Sequence, residues 1–346
     1  MDDIILQGVL TEDLTVTFIL SVGAFLLAML LTPIYTHLAY KHKFWKKQRM
    51  TSTTGENLAV FNVLHADKFK RNIPTMAGMI GIVAIVAITL GFNLDRAQTW
   101  LPLAALIGGG LVGLLDDIIN LRGAGTGVAG LRSNIKFAMI TVLAFALGWW
   151  FFHNLGVDAI HLPFIGTISI GWLIVPLFTL AVVATSNAVN ISDGLDGLAG
   201  GLLVISFGSF GIIALLQEQV LLSGFCFTVV GALLSYLWFN IYPARFFMGD
   251  VGSFAFGTSL GVVAMMTNTL FLLPLIGIIF VIEAGSSLIQ IVSKKFFHRK
   301  VFISAPVHHH LEATGWPETK VTMRFWVIAC VAGFFGILLA LAGGHI

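Results

Sequence analysis

The chain has 346 residues, of which 57% are hydrophobic and 10% are charged, with a mean hydropathy of +0.94 and a formal net charge of +2. About a quarter of the residues in a soluble domain are normally charged, so this composition excludes an ordinary soluble protein. Both cysteines, Cys226 and Cys330, lie in apolar runs, which excludes a disulfide framework and a cysteine-based metal site. The N-terminus is acidic and the first apolar run is long, so we expect no cleaved signal peptide.

Ten apolar runs are long enough to cross a bilayer, which takes about 17 to 25 residues. They fall near residues 14–40, 73–94, 99–115, 135–152, 171–190, 197–216, 220–241, 251–268, 271–293 and 323–343. We therefore expect an all-α polytopic integral membrane protein with about ten transmembrane helices and a single domain over residues 1–346. The segment 153–170 alternates in polarity and contains Pro and Gly, which predicts a small external hairpin.

The basic residues are unevenly distributed over the loops. With ten alternating spans, 18 of the 19 lysine and arginine residues fall on one side, and Arg96 alone falls on the other. Short loops rich in Lys and Arg face the cytoplasm. The pattern predicts that both termini lie outside and that the loops after runs one, three, seven and nine are cytoplasmic.

Polar residues that interrupt apolar sequence gather on the same side. Four segments supply them: Asp116 and Asp117; Asn187, Asn190, Asp193 and Asp196; Asn240 and Asp250; and His308, His309 and His310. Gly194 and Gly197 indicate a helix break, which would turn several of these side chains into one cavity. The outer loops lack such a set, so we expect the functional site at the cytoplasmic face.

Each feature also has a simpler interpretation. Asp116 and Asp117 can be an ordinary helix end, and the Asn/Asp run can be a helix-capping loop. The histidine triplet is not an obvious zinc site, since adjacent side chains point in different directions, and donors to a phosphate are the better interpretation. Glu283 lies inside an apolar run and is a functional candidate by default, although a satisfied structural residue is the favoured interpretation.

Carboxylates beside basic loops suggest a phosphate-bearing substrate and a hard cation. Mg²⁺ is usually held by one or two carboxylates together with substrate phosphates. The turn at 248–252 places small residues on both sides of Asp250, which would let a phosphate approach closely. The absence of a Walker loop and of a GxGxxG motif argues against an ATPase or a dehydrogenase.

Four motifs in order carry a family resemblance. They are LLDD at 114–117, NAVNISDGLDGLAGG at 187–201, FFMGDVGS at 246–253 and APVHHHLEATGWPETKVTMRFW at 305–326. The sequence resembles the polyprenyl-phosphate N-acetylhexosamine-1-phosphate transferases over essentially its whole length, and within them the phospho-N-acetylmuramoyl-pentapeptide transferase branch. The last motif separates that branch from its relatives, which usually lack an unbroken histidine triplet followed by E-x-x-G-W-P.

The resemblance implies a bacterial plasma (inner) membrane enzyme that uses Mg²⁺. It would transfer phospho-MurNAc-pentapeptide from UDP-MurNAc-pentapeptide to undecaprenyl phosphate, giving lipid I and UMP, as a homodimer in contact with membrane lipid and with no nucleic-acid partner. By position, the implied catalytic residues are Asp116, Asp117, Asp250 and His309, with Asp250 as the metal ligand and Phe247 stacking on uracil. The implied substrate-binding residues are Lys70, Lys136, Asn187, Asn190, Asp193, Asp196, Asn240, Phe247, Gln290, His308 and His310.

The sequence departs from the family pattern in two places. The family's G-T-P-T-M-G-G reads NIPTMAG at 72–78, so we expect that turn to differ. The lysine usually found three residues after the second aspartate is Asn120 here. We expect Arg122 or Lys136 to supply the missing charge.

Two other functions remain open on sequence alone. A relative in the same superfamily would use UDP-GlcNAc, and the motif at 305–326 argues against it. A secondary transporter would also have about ten spans with carboxylates inside them. Against a transporter, the carboxylates lie at one membrane face, and the sequence shows no inverted repeat.

Overall fold

The computed structural model describes residues 2–45, 72–123 and 130–344, with side chains from residue 11 onward. The described chain is almost entirely helical. Its long helices are α1 (Asp2–Lys41), α2 (Gly78–Phe92), α3 (Trp100–Arg122), α4 (Ser133–Asn154), α5 (Ile174–Ser192), α6 (Leu198–Leu216), α7 (Val220–Asn240), α8 (Gly249–Met266), α10 (Ile278–Phe297) and α12 (Glu318–Ala342). The shorter elements are β1 (Ala159–Leu162), β2 (Gly166–Ser169), α9 (Leu273–Ile276), α11 (Val307–Ala313) and the 3-10 turns Gly171–Leu173 and Leu270–Leu272.

The helices have the length and polarity of membrane spans. Within the described ranges, eight are long and apolar enough to cross a bilayer, and the bent pair α9–α10 would make a ninth. Helix α2 is apolar but has only 15 residues. The predicted class, an all-α polytopic membrane protein, is confirmed, whereas the count of ten spans and the placing of the termini stay predictions.

The predicted run at 271–293 is not one straight helix. The chain bends by 81° between α9 and α10. Gly277 stands at the bend, where its N–H donates to the carbonyl of Leu273 and its own carbonyl accepts from Val281. The predicted run is therefore two helices joined at a bend, and its crossing of the bilayer as one span stays a prediction.

The predicted run at 73–94 begins too early. Residues 72–77 lie outside α2 because their backbone bonds to the segment before α8: Phe247 N–H donates to the Pro74 carbonyl at 2.8 Å, and Ala77 N–H donates to the Phe247 carbonyl at 3.0 Å. The apolar side chains at 73–77 are buried by this pairing. Hydrophobicity alone cannot distinguish such a segment from the first turn of a helix.

The predicted hairpin is confirmed. Strands β1 and β2 pair antiparallel, with His161 opposite Thr167. The hairpin is tied to two helix ends: His161 N–H donates to Asn268 Oδ1 at 2.9 Å, and the His161 ring lies 2.9 Å from the Gly343 carbonyl. It therefore caps one end of the helix bundle.

Helix α8 is the centre of the bundle and is buried along nearly its whole length, packed against α3 and α5. The contact with α3 is made by backbone: a Cβ added to Gly113 would lie 2.1 Å from the Asp250 carbonyl oxygen. Only glycine allows this approach. As a result the C-terminal end of α3, which carries Asp116 and Asp117, lies beside the first turn of α8, at the bundle end opposite the hairpin.

Candidate active site

A lysine from one helix joins two carboxylates from two others. Lys136 Nζ, in the first turn of α4, lies 3.3 Å from Asp116 Oδ2 on α3 and 3.1 Å from Asp250 Oδ2 on α8. The Lys136 side chain is 20% exposed and that of Asp250 is 16% exposed, so the centre remains open to the end of the bundle. The second oxygen of Asp116 accepts the Leu131 N–H at 2.5 Å, which fixes the carboxylate.

Asp117 has a different hydrogen-bond partner from its neighbour. It is fully buried, and its Oδ2 accepts the Val251 N–H at 3.0 Å in the first turn of α8. A carboxylate at a helix N-terminus is favoured by the helix dipole and by the free N–H groups there. Asp117 therefore secures the turn that presents Asp250, whereas Asp116 faces Lys136.

The helix break predicted at the Asn/Asp run is present. Helix α5 ends at Ser192, and Gly197, with φ of 77°, precedes α6. Asn190 Nδ2 donates to Ser253 Oγ at 2.8 Å, which connects the end of α5 to α8 just beyond Asp250. Asn187 Nδ2 donates at 2.8 Å to the Val183 carbonyl of its own helix. Asp193 is half-buried in the turn.

Two of the predicted pocket residues brace this turn against its neighbours. The Asp196 side chain accepts the Ala244 N–H at 3.0 Å and is buried. Asn240 bonds to both sides of the gap, since its Oδ1 accepts the Gly197 N–H and its Nδ2 donates to the Phe246 carbonyl, each at 2.9 Å. The turn at 193–197 and the segment 241–247 therefore form one connected wall.

Phe247 stands at the edge of this wall. Its backbone pairs with residues 74 and 77, and its half-buried side chain precedes Met248 and the first turn of α8. The structure thus places an aromatic ring within three residues of Asp250. Stacking of this ring on a base stays a prediction.

The histidine triplet lies on the short helix α11, and its three rings have different surroundings. His308 is buried, with its Nδ1 2.7 Å from Glu283 Oε2. His309 is more open, at 13% side-chain exposure, with its Nδ1 2.8 Å from Glu312 Oε2. His310 Nδ1 accepts the Ile303 N–H at 3.2 Å. The more exposed His309 is better placed than His308 to reach a ligand.

Gln290, predicted to bind substrate, is occupied with the backbone of the segment before α11. Its Oε1 accepts from Val301 and Phe302, and its Nε2 donates to the Phe302 carbonyl, all at 3.0 Å. Ser293, one turn further, donates to the Arg299 carbonyl at 3.0 Å. These side chains hold the histidine segment against α10.

The two candidates for the missing charge are separated by position. Lys136 occupies the Asp116–Asp250 centre, whereas Arg122 is exposed at the end of α3. Asn120 is buried one turn beyond Asp116. Lys70, also predicted to bind substrate, lies outside the described residues.

Several residues of the site were missed in the sequence. Glu318 Oε1 accepts the Asp196 N–H at 2.6 Å, and the Tyr35 hydroxyl donates to the Thr75 carbonyl. Glu312 supports His309. The spacing of Glu312, three residues after His309 on one helix, was a readable signal, whereas the partners of Tyr35 and Glu318 are distant in sequence and gave none.

An apolar groove of about 500 Å³ runs along α5 beside α9 and α10. It is lined by Leu177, Leu180, Ala181, Ala184, Thr185, Ala188, Leu270, Phe271, Leu273, Pro274, Gly277, Phe280, Val281, Ala284, Gly285 and Leu288. Several of these side chains are exposed, among them Leu180 at 65% and Leu288 at 61%. The lining of the groove on α5 extends to Ala188, four residues before the end of the helix at Ser192, which is the end of α5 that carries Asn190.

The centre fits a hard cation that is completed by substrate oxygens. Two carboxylates, Asp116 and Asp250, converge on one positive charge. Among the described residues there is no group of three His, Cys, Asp or Glu side chains that could enclose a metal. One or two carboxylates with substrate phosphates is the usual coordination of Mg²⁺, so this donor set fits that ion.

The class of the protein follows from this geometry together with a family match. A family model described as "Glycosyl transferase family 4" matches residues 99–268, the stretch that contains Asp116, Lys136, Asn190 and Asp250. The fold and the site therefore define a multi-pass membrane glycosyl transferase with a charged centre at one end of its helix bundle.

Curated relatives extend over nearly the whole chain. The phospho-N-acetylmuramoyl-pentapeptide-transferase of Chloroflexus aggregans is 39% identical over 354 aligned residues, which cover 98% of this chain and 94% of the relative. The enzymes of the same name from Chloroflexus aurantiacus and Geobacillus thermodenitrificans are 37% and 34% identical, covering 98% and 91% of this chain and 94% and 95% of the relatives. The chain belongs to the phospho-N-acetylmuramoyl-pentapeptide transferase family, which makes it a bacterial multi-pass membrane transferase.

Proposed function

We propose that this enzyme transfers phospho-MurNAc-pentapeptide from UDP-MurNAc-pentapeptide to undecaprenyl phosphate, giving lipid I and UMP. An oxygen of the lipid phosphate attacks the phosphorus that carries the sugar, the bond from that phosphorus to the UMP oxygen breaks, and UMP leaves. The observation that carries the proposal is the Asp116–Lys136–Asp250 centre, in a chain that also has an apolar groove and whose relatives of this name match it over nearly their full length.

The main obstacle to this reaction is the approach of two polyanions. Transfer between phosphates depends chiefly on positioning and on stabilising charge. Lys136 supplies a positive charge where α3, α4 and α8 meet, and Asp116 fixes its position. Asp250, with Asp116, would hold Mg²⁺, which when bound polarises phosphoryl oxygens as a Lewis acid.

The donor site is assigned to the wall beside this centre. Phe247 would stack on uracil, and the turn at 193–197, braced by Asn240 and Asp196, would face the ribose and phosphates. His309, the more open ring of the pair it forms with His308, would donate to a phosphate. These roles rest on position and on the chemistry of the side chains.

The acceptor is assigned to the apolar groove. A polyprenyl chain needs an apolar path that starts in lipid and ends at the charged centre. The groove supports this assignment, since Leu180 and Leu288 are exposed at its rim and its lining extends to Ala188, near the end of α5 that carries Asn190. With the basic loops in the cytoplasm, the lipid phosphate would reach the site at the inner face of the plasma membrane.

The test is a transfer assay with purified enzyme in detergent or nanodiscs. UMP release and radiolabelled lipid product are measured with undecaprenyl phosphate and Mg²⁺, using UDP-MurNAc-pentapeptide or UDP-GlcNAc as donor. We expect lipid I and UMP from the first donor only. Product from UDP-GlcNAc would identify the other branch of the superfamily, and no UMP from either donor would overturn the proposal.

A further inference from the structure

Helix α10 carries a buried polar stripe inside an otherwise apolar span. Glu283, Ser286, Gln290 and Ser293 recur at three- and four-residue spacing and are all buried. On the other side of the helix, Leu288 and Ile291 are exposed at 61% and 56%. Each member of the stripe contacts the chain between residues 299 and 310, since Ser286 Oγ accepts the Val307 N–H at 3.0 Å and Gln290 and Ser293 hold residues 299–302.

Glu283 is the member of the stripe whose burial costs the most free energy. A carboxylate at zero exposure inside a membrane span is unfavourable unless it is hydrogen-bonded. Its Oε2 lies 2.7 Å from His308 Nδ1, and the His308 side chain is 1% exposed. This pair joins α10 to α11.

The opposite edge of the His308 ring lies against the turn at 193–197. A Cβ added to Gly194 would lie 2.3 Å from His308 Nε2 and 2.9 Å from its Cε1. The imidazole therefore fills the space that any larger side chain at position 194 would need. His308 is a wedge between Glu283 on one side and the turn at 193–197 on the other.

We propose that Glu283 is a positioning residue for donor binding, which acts through His308 on the turn at 193–197. By fixing the tautomer and the orientation of the ring, the carboxylate determines where the Nε2 edge meets Gly194, and thereby where Asp193 and the Asp196–Asn240 brace are held. His308 then acts as a spacer, in place of the substrate contact predicted for it. The proposal takes the donor's identity from the function proposed above.

The first test measures the position of the turn without using activity. Amide hydrogen exchange is followed by mass spectrometry for wild-type protein and variants in nanodiscs. The turn has measurable protection, because the Asp196 and Gly197 amides donate to Glu318 and Asn240. We expect Glu283→Ala to speed exchange of these amides at least fivefold, and Glu283→Gln, whose amide oxygen can still accept from Nδ1–H, to stay within twofold of wild type.

Ser293→Ala is the matched control. Ser293 lies on the same helix and also bonds to the histidine segment, but it contacts the Arg299 carbonyl and is ten residues from Glu283. We expect its effect on the turn to be within twofold of wild type. Unchanged exchange at the turn in Glu283→Ala, or an equal increase in Ser293→Ala, would overturn the proposal.

Kinetics provide the second readout. In Glu283→Ala, we expect the KM for UDP-MurNAc-pentapeptide to rise about tenfold while the KM for undecaprenyl phosphate stays within twofold. A lower kcat with both KM values unchanged would contradict a positioning role in donor binding. If the wild-type enzyme does not turn over this donor, the proposed function fails, and the exchange result still decides whether Glu283 positions the turn.

A second pair of variants keeps the proposal testable should Glu283→Ala not fold. Gly194→Ala introduces the clash with His308, and His308→Ala removes the ring. We expect exchange in the double variant to be no faster than in His308→Ala alone, since the clash needs the ring. Additive effects would show that the two residues act independently. They would overturn the proposal that the His308 ring positions the turn at 193–197.

Discussion

Lys136 reduces the repulsion between two carboxylates that come from different helices. Asp116 and Asp250 would repel each other if they faced one another alone, and the ammonium group lies within 3.3 Å of both. In the absence of substrate it offsets one of their two negative charges, and near a phosphate it adds attraction.

Removal of this charge should abolish most of the activity. We expect Lys136→Ala to lower kcat by about 100-fold or more, the size of effect seen when one preorganised charge-stabilising donor is lost. Lys136→Arg should retain part of the activity, because the charge remains but the planar guanidinium does not fit the position of a compact ammonium group. UMP release under saturating donor and acceptor measures both.

Arg122→Ala is the control for this variant. Arg122 is exposed at the end of α3, so we expect its kcat to stay within about twofold of wild type. A strong loss in Arg122→Ala with little change in Lys136→Ala would reverse the assignment.

The role of Asp117 can be tested by its pH dependence. A phosphate monoester has a second pKa of about 6, so the acceptor is already mostly a dianion at neutral pH and needs little help from a general base. Asp117 instead binds the Val251 N–H and supports the turn that carries Asp250. We expect Asp117→Asn to lower kcat by a similar factor at every pH from about 6 to 9. Recovery of this variant at high pH would show that proton removal is its main task.

At the level of single residues, the sequence predicted which side chains lie together but not which partner each of them contacts. The motifs identified Asp116, Asp117, Asn190, Asp250 and the histidines as neighbours at one bundle end. They could not show that Asp116 contacts Lys136 whereas Asp117 accepts the Val251 N–H, because this depends on how α3 rotates against α8. For the same reason the choice between Arg122 and Lys136 stayed open, since a lysine 20 residues from its carboxylate cannot be paired by spacing.

Helix α10 serves two functions because its two faces are used separately. One face carries the polar stripe, and the other, with Val281, Ala284 and Leu288, lines the apolar groove. Hydropathy identified the run as apolar. Because it is a mean over all residues of the run, it did not show that one face is polar and the other apolar. The 81° bend at Gly277, which sets the direction of the groove, depends on local backbone geometry and has no signature in a hydrophobicity count.

Filling the groove should weaken acceptor binding selectively. Ala184 lies on the groove face of α5 and is exposed, so Ala184→Phe would occupy space without disturbing the core. We expect the KM for undecaprenyl phosphate to rise about tenfold or more, with the donor KM within twofold. Val142→Phe, at a 70% exposed position on α4, is the matched control and should change neither KM. Equal KM values in the two variants would place the acceptor elsewhere.

At the scale of the whole molecule, the two ends of the helix bundle differ in chemistry. The centre formed by Lys136 and its carboxylates lies at one end of the bundle, and the hairpin tied to Asn268 and Gly343 lies at the other. The composition and the basic loops identified this polarity before any contact was known. They could not identify the packing of α8 against α3 and α5, which arises from glycine contacts of backbone on backbone.

The orientation can be measured by labelling. With both native cysteines replaced by alanine, Thr167→Cys on the hairpin should react with a membrane-impermeant maleimide in intact cells. Lys320→Cys, in the first turn of α12 at the other end, should react only after permeabilisation, as the basic-loop pattern requires. The reverse labelling pattern would invert the orientation and place the charged centre outside.

The bend between α9 and α10 has a consequence for how the reaction rate depends on its environment. The groove it creates opens sideways, with Leu180, Phe271 and Leu288 exposed along its rim. A molecule that enters by this opening arrives by diffusion within a two-dimensional film and never crosses into water. The quantity that saturates the enzyme is then the mole fraction of acceptor among the surrounding lipids. Diluting vesicles in buffer that holds the same concentrations of nucleotide donor and Mg²⁺ should leave the rate per enzyme unchanged, whereas adding inert phospholipid at constant acceptor should lower it.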